Sequence, residues 1–508
     1  MNRLVYTLFF IVLLVKPIAA QTVAQRLDSL FNKTGFNGNV LVAEDGRIVY
    51  ERSFGYADLA RKIPNTPDAA FQTASVAKVF TSTAVLQLRE QGKLKLEDPV
   101  LQHLPEFPFS NITIRHLLSH TSGLPDIEIY ERPVRENPQM IVSNKDAIPT
   151  IKLWNKPLKF QPGEKWNYCN TNYVLLALIV EKVAKKPFQD YVKEKIFIPA
   201  GMSSSYVLVN GSPAPRDRAP VKNHILATLY QTIPIDVDTV AVKDPVKMRR
   251  IKYVTRNVGA TLGDQNVIST VGDLLRFDQA LRQGKLLKQA SLDEAYAPTK
   301  LNSGEAYYED FGPQYGKCSY GLGWIVCDSP ETGKTVSHDG FNRGVASQFY
   351  RNLTKNQTVV MFDNTEGAGF DRKVAAVINI VNGKAASLHL KKSVARYFGE
   401  ALLQSGPEAA LIKFNELRGS SDYYLDEREM NLLGYDFLFN EYGPQSLEAF
   451  RLNVLLFPES FNVYDSYAEA LAENGKTADA ILMYRKAIAL NPKSEGSIRA
   501  LKSLEEKK

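Results

Sequence analysis

The pattern of apolar and polar positions divides this chain near residue 385. Before that point strand-like and helix-like stretches mix. Strand-like runs at 40–43 and 48–52 flank Asp45-Gly46, a dipeptide suited to the tight turn of a hairpin. Residues 76–88 form a long apolar, helix-compatible run, which places Ser75 at or near a helix N-terminus. Residues 205–258 break this texture, with Pro213, Pro215, Pro220, Pro234 and Pro245 among many charges. They are expected to form a long loop or insertion beside a cleft, where substrate choice is usually set. After Lys384 the sequence becomes helical and repetitive. Gly406-Pro407 recurs as Gly443-Pro444 and is answered by Asn474-Gly475, each expected as a turn between two helices.

Taking Phe461 as position one of a unit of about 34 residues puts Tyr464, Tyr467, Ala468, Leu471, Ala480, Tyr484, Ala487 and Pro492 at meaningful places. They fall where the tetratricopeptide pattern has large, large, small, large, small, aromatic, small and proline. One unit earlier, Pro458 stands in register with Pro492, and Leu433, Gly434, Phe437, Ser446 and Phe450 follow suit. This region therefore resembles tetratricopeptide repeats: two or three helical hairpins and a final amphipathic helix over about 495–504. Such units bury their apolar faces only by stacking, so a short array is expected to lean on the domain before it. It is read as a structural cap, with a groove for a protein or peptide partner as the functional alternative.

The first twenty residues carry Arg3, an apolar run at 4–15 and Ile18-Ala19-Ala20 before Gln21, the layout of a secretory signal peptide. The run is too short for a membrane span, and no later stretch reaches the roughly 18 apolar residues that a spanning helix needs. The mature chain is expected to be exported, periplasmic or secreted, with no stable membrane span. Removing Arg3 and Lys16 lowers the formal charge from +7 to +5, and no basic run interleaved with aromatics appears, so nucleic acid is not an expected partner. At 508 residues the chain exceeds one ordinary domain. The expected division is a signal peptide at 1–20, a catalytic domain at 21–384 and helical repeats at 385–508. Three cysteines make no disulfide framework; Cys318 and Cys327 are close enough in sequence to be bridged in an oxidising compartment, with free thiols the favoured expectation.

Candidate chemistry sits in three motifs in one order: Ser75-Val76-Ala77-Lys78, Tyr168-Cys169-Asn170 and His338-Asp339-Gly340. A serine hydroxyl is a poor nucleophile at neutral pH, and a lysine three residues later on a helix shares its face and can act as base. Singly each motif is weak. Together, in order, they resemble the serine beta-lactamase and penicillin-binding-protein-like hydrolases, in particular the branch of class C beta-lactamases, DD-peptidases and esterases. The resemblance runs from about Val40 to about Val381 and includes Ile114-Arg115-His116-Leu117-Leu118-Ser119-His120-Thr121-Ser122-Gly123-Leu124 and Tyr320-Gly321-Leu322-Gly323-Trp324.

The resemblance implies an α+β fold: a five-stranded antiparallel sheet flanked by helices, with Ser75 at the edge of an all-helical subdomain. It implies that Ser75 attacks the scissile carbonyl to form an acyl-enzyme while Lys78 and Tyr168 handle the proton, either serving as base. Asn170 is expected to aim its amide at the substrate or at Lys78. The backbone amides of Ser75 and of the residue after Gly340, Phe341, are expected to form the oxyanion hole. Cys169 occupies a place where many relatives carry serine, which argues against a catalytic thiol.

His338 stands where the other form of the branch has lysine. A histidine is only partly charged at neutral pH, so a substrate carboxylate is held less firmly, and beta-lactam turnover becomes a weaker expectation than peptide or ester hydrolysis. Arg343 is a possible carboxylate anchor. His116 and His120 have an i, i+4 spacing, but no further ligand accompanies them, so packing is expected rather than a metal site. Gly333-Lys334-Thr335 is read as a hairpin turn, and no G-x-S-x-G elbow is present. No cofactor is expected. The leading expectation is an exported serine hydrolase acting on D-Ala-D-Ala-type peptides or small esters. The alternative of another class is an idle hydrolase fold that binds a partner through its repeats.

Overall fold

The structure is a computed structural model that describes residues 22–506, apart from 138, 213, 216–218, 227–229, 231–233, 237–258, 366–368 and 387–390. The expected signal peptide lies outside the described residues, as do Pro213 and Pro245 of the Pro-rich segment. Strands β1 (Gly38–Glu44) and β2 (Arg47–Phe54) form the expected hairpin, closed by Asp45 and Gly46, both at positive φ. A small pair, β3 (Tyr56–Asp58) and β4 (Ile63–Pro64), follows, and β5 (Phe71–Gln72) leads into the first motif. Then come β6 (Tyr206–Val207), the paired β7 (His224–Leu226) and β8 (Pro234–Asp236), and β9 (Val267–Ser269), which joins β5 and β6 in a three-stranded sheet. The remaining strands that matter here are β10 (Glu309–Asp310), β11 (Lys317–Tyr320), β12 (Ile325–Ser329), β13 (Gly333–Asn342), β14 (Val345–Asn352) and β15 (Gln357–Asp363).

The main sheet is antiparallel, as expected, with eight strands in the order β10-β11-β12-β13-β14-β15-β1-β2. Its five longest strands, β13, β14, β15, β1 and β2, are contiguous, and three short strands extend one edge to make the excess over five. Both faces of the middle are covered, and alternation assigns each residue to a face. Leu41, Val360 and Phe362 meet the large helical core, whereas Val40, Val42, Val359 and Met361 meet the helices Val23–Thr34 and Phe370–Val381. That double burial is why these strands read as continuous apolar runs. Buried Arg351 on β14 ties the sheet to the helix Val271–Arg282 through Asp278, with Nε 2.5 Å from Oδ1.

Gly333-Lys334-Thr335 differs from expectation: the turn precedes it, and the three residues open β13. Cys318 and Cys327 are not free thiols but a disulfide. The antiparallel register of β11 and β12 pairs Ser319 with Val326 and Tyr320 with Ile325, which sets the two cysteines opposite one another. No helix among the described residues is long and apolar enough to cross a membrane. Apart from a short parallel pair of Lys392–Ser393 with Tyr423–Tyr424, the described C-terminal region is helical and consistent with helical repeats. Gly406, at φ 81°, breaks the stretch Val394–Leu417 into two helices, the pairs Glu427–Phe439 with Gly443–Leu456 and Phe461–Glu473 with Thr477–Leu490 follow, and Glu495–Glu505 ends the array. Ala468, Ala480 and Ala487 are fully buried, because small residues let the paired helices approach.

Candidate active site

Ser75 is placed by a strained, tightly held turn. Thr73 is fixed to Val267 on β9 through both its amide and its hydroxyl, and Ala74 is forced to φ 44°, which L residues seldom adopt. Ala74–Val76 then form a single 3₁₀ turn that continues into the helix Ala77–Glu90. In a 3₁₀ turn residues i and i+3 eclipse, which adds to the helical spacing in bringing Lys78 over Ser75. From Ala77 to Leu88 this helix is buried on every side, which accounts for its unbroken apolar character.

Lys78 is fully buried, and its three donors are all used. Nζ lies 3.0 Å from Ser75 Oγ, 2.8 Å from Asn170 Oδ1 and 3.0 Å from the Asp264 carbonyl oxygen. Burial pulls the ammonium down to about 8, against the opposing attraction of Asp264, Asp126 and other neighbours. The Tyr168 ring stands 4.9 Å from the same Nζ, and its hydroxyl hydrogen-bonds Ser75. Burial raises that phenol well above 10, so it holds its proton in the resting site.

Asn170 aims its amide oxygen at Lys78 because Asp126 takes the other end. Asp126 accepts from Asn170 Nδ2 at 3.1 Å and from the Asn170 and Thr171 amides at 2.6 and 3.3 Å, capping the helix Asn170–Ala184 from a distant segment. Neither Asp126 nor Asp264 is singled out by the sequence motifs, since both arrive through tertiary structure. His120, expected from the sequence to serve packing, also meets the site. Held at φ 58°, it accepts the Cys169 amide at Nδ1 and packs 4.4 Å from the Tyr168 ring. His116 instead closes a capping box with Thr113, so the two histidines face different tasks. The Cys169 thiol is buried and pushed well above its ordinary value, which leaves it protonated and unreactive.

His338 departs most from its sequence reading. Nδ1 lies 2.6 Å from the Asp339 carbonyl oxygen, so that nitrogen carries the proton, and Nε2 accepts from the Tyr320 hydroxyl at 3.0 Å. Burial, then the charge of Lys78, pushes the imidazole down to about 3. It is neutral rather than partly charged, and its ring nitrogens are occupied. Tyr320 is delivered by the disulfide-bridged hairpin of β11 and β12.

Gly340 lies against the serine turn. A Cβ here would stand 2.6 Å from Thr73 O and 2.8 Å from Ser75 N, so glycine alone allows β13 to come this close. Asn342 pairs with Val345 across a two-residue turn, and Gly340 with Ser347 two places on. The intervening Phe341 therefore turns its amide away from β14, toward the side that β12 leaves open beyond Ser337. The Phe341 side chain is exposed. Arg343 sits in the turn and does not line the cavity. That cavity, about 430 Å³, brings together Ser75, Tyr168, Asn170, His338, Gly340 and Phe341. Asp264, Glu309 and Asp339 also line it, and burial raises Asp264 and Asp339 to about 6.

A serine hydroxyl held against a buried amine, with a phenol beside it on the wall of one cleft, is the arrangement of a serine hydrolase. The Beta-lactamase family pattern matches residues 20–382, and the chain belongs to that family. It is 35% identical over 413 residues to penicillin-binding protein 4* of Bacillus subtilis, covering 78% of this chain and 87% of the relative. Among solved structures, a penicillin binding protein from Bacillus halodurans is 26% identical with a TM-score of 0.57, covering 70% of this chain and 98% of that one. D-amino acid amidase from Ochrobactrum anthropi, solved with L-phenylalanine amide, is 23% identical with a TM-score of 0.54, covering 71% of this chain and 95% of that one, and shows the shared fold.

Proposed function

We propose that this protein is an exported hydrolase that cleaves peptide-like amides or esters through an acyl-enzyme on Ser75. The observation that carries the reading is the 3.0 Å contact between Ser75 Oγ and an amine whose buried ammonium is pulled down to about 8. Lys78 takes the Ser75 proton as the Oγ–carbon bond forms. Tyr168 gives its phenol proton to the leaving group as the scissile bond breaks and recovers one from the Lys78 ammonium, which restores the neutral amine. The amides of Ser75 and Phe341 hold the oxyanion, Asn170 fixes Lys78, and His338 orders the floor through Tyr320 and Asp339. Water then attacks the ester by the reverse proton path. Residues 21–384 carry this activity, 1–20 direct export, and the helical repeats at 385–508 serve as a cap.

The cavity favours substrates without a free carboxylate beside the scissile bond. His338 is neutral, Arg343 lies outside, and Asp264, Glu309 and Asp339 line the wall. This supports neutral or amine-bearing amides and small esters over D-Ala-D-Ala peptides, and over beta-lactams. The test exposes the purified mature protein to an amino acid amide, a p-nitrophenyl ester, a D-Ala-D-Ala peptide and a fluorescent penicillin, and maps any covalent adduct by mass spectrometry. An adduct on the peptide containing Ser75 is expected. No reaction with all four, or an adduct elsewhere, would count against the proposal.

Gly340→Ala is expected to lower kcat by about a hundredfold, because the new methyl meets backbone atoms that cannot swing aside and parts the two amides of the oxyanion pocket. Steady-state kinetics beside a circular dichroism spectrum checks this, and a kcat within a factor of about three of the unaltered protein contradicts it.

A further inference from the structure

β7 and β8 pair His224 with Asp236 and Leu226 with Pro234, and Tyr230 stands midway between the two strands in sequence. Its side chain is buried in the C-terminal helices. The ring stacks on Phe437 with centroids 4.4 Å and planes 4° apart, and Tyr442 meets it edge-on at 6.0 Å. Leu433, Phe398 and Val394 belong to the same apolar cluster. Gly399 permits the approach, since a Cβ there would stand 3.1 Å from Tyr230 Cβ and 2.5 Å from Leu433 Cδ1.

The start of β7 and the residues before it rest on the frame of the active site. The Val221 amide donates to Ala70 O at 2.8 Å, and Asn223 Nδ2 to Gln72 Oε1 at 3.1 Å, on the strand that leads into Ser75. The His224 amide donates to Asn364 O at 2.8 Å. His224 and Asn223 also fill the space beside Gly344, where a Cβ would lie 2.8 Å from His224 N. Gly344 belongs to the turn between β13 and β14, just beyond Phe341. The base of one hairpin thus touches both segments whose amides are assigned to the oxyanion pocket. A two-stranded ladder outside the main sheet is marginal alone, so it depends on anchors such as Tyr230 in the chain that joins its strands.

We propose that Tyr230 is a positioning residue through which the C-terminal helices hold the β7–β8 hairpin against the Ser75 and Phe341 segments, so that a displacement of the helices reaches the oxyanion pocket. The kinetic half of this inference rests on the hydrolase reading; the structural half does not. The experiment compares the full-length protein with Tyr230→Ala, Tyr230→Phe, Phe437→Ala and the double alanine variant. It measures hydrogen exchange in peptides spanning 70–76 and 338–347 and the rate of acylation by the reagent that labels Ser75. Tyr230→Ala and Phe437→Ala should each raise exchange in both peptides, and slow acylation, by about tenfold without weakening substrate binding. The double variant should be no worse than either single one, and Tyr230→Phe should behave as the unaltered protein. Extra exchange confined to residues 224–236 and to the C-terminal helices, with both active-site peptides and the acylation rate unchanged, would overturn the proposal. Absence of labelling in the unaltered protein would strike the hydrolase reading, while the exchange data would still decide the coupling.

Discussion

Replacing Ser75 with alanine will lower kcat by about four orders of magnitude or more, with KM little changed. The hydroxyl is the group from which the acyl bond grows, whereas the backbone amide at position 75 survives the substitution and keeps its share of binding. The fold should survive as well. The Ser75 side chain caps nothing, and the helix that follows is held by burial from Ala77 to Leu88. Lys78 loses one of three acceptors and keeps Asn170 Oδ1 and the Asp264 carbonyl, so the cost should stay near 1 kcal/mol. Thermal melting and burst kinetics read the two halves separately. A variant within about a hundredfold of the unaltered kcat would remove Ser75 from its assigned role.

The parts of this site that the sequence reveals are those set by local geometry. Ser75 and Lys78 meet because three residues of helical chain bring them together, and the Asp45-Gly46 hairpin follows from the two residues that close it. Groups delivered by distant segments leave no such mark. Asp126 caps a helix that begins 44 residues later, and the Asp264 carbonyl reaches Lys78 across 186 residues. The charge state of His338 was hidden for another reason. Burial decides it, and burial belongs to the packing of β13 against Tyr320, not to the His-Asp-Gly spelling. The disulfide lies between these cases. Once β11 and β12 are recognised as a hairpin, their register alone sets Cys318 opposite Cys327. These strands leave only a faint trace in the sequence, since they are short and β11 ends at a glycine-rich turn.

Lys78→Met should lower kcat by about a thousandfold while filling the same buried space, and the pH profile shows why. Desolvation pulls the ammonium down to about 8. The neutral amine is the competent base, so kcat/KM of the unaltered protein should rise with pH and level off above about 8, with roughly a tenth of the plateau left one unit below. His338, pushed down to about 3, adds no inflection near its ordinary value. Asp339 attracts the Lys78 ammonium, so Asp339→Asn removes a stabilising charge and should move the rising limb to lower pH. Were a Tyr168 phenolate the base, burial would place the limb above 10 instead. The same shift has a consequence for stability. With Lys78 at about 8 in the folded state and near 10.5 when unfolded, the unfolded chain binds more protons between those values, so stability attributable to this group rises with pH across that window. Lys78→Met should flatten that rise. Kinetic and denaturation profiles of the three proteins from pH 6 to 10.5 give the comparison, and a limb that stays at about 8 in the methionine variant would exclude Lys78 as its source.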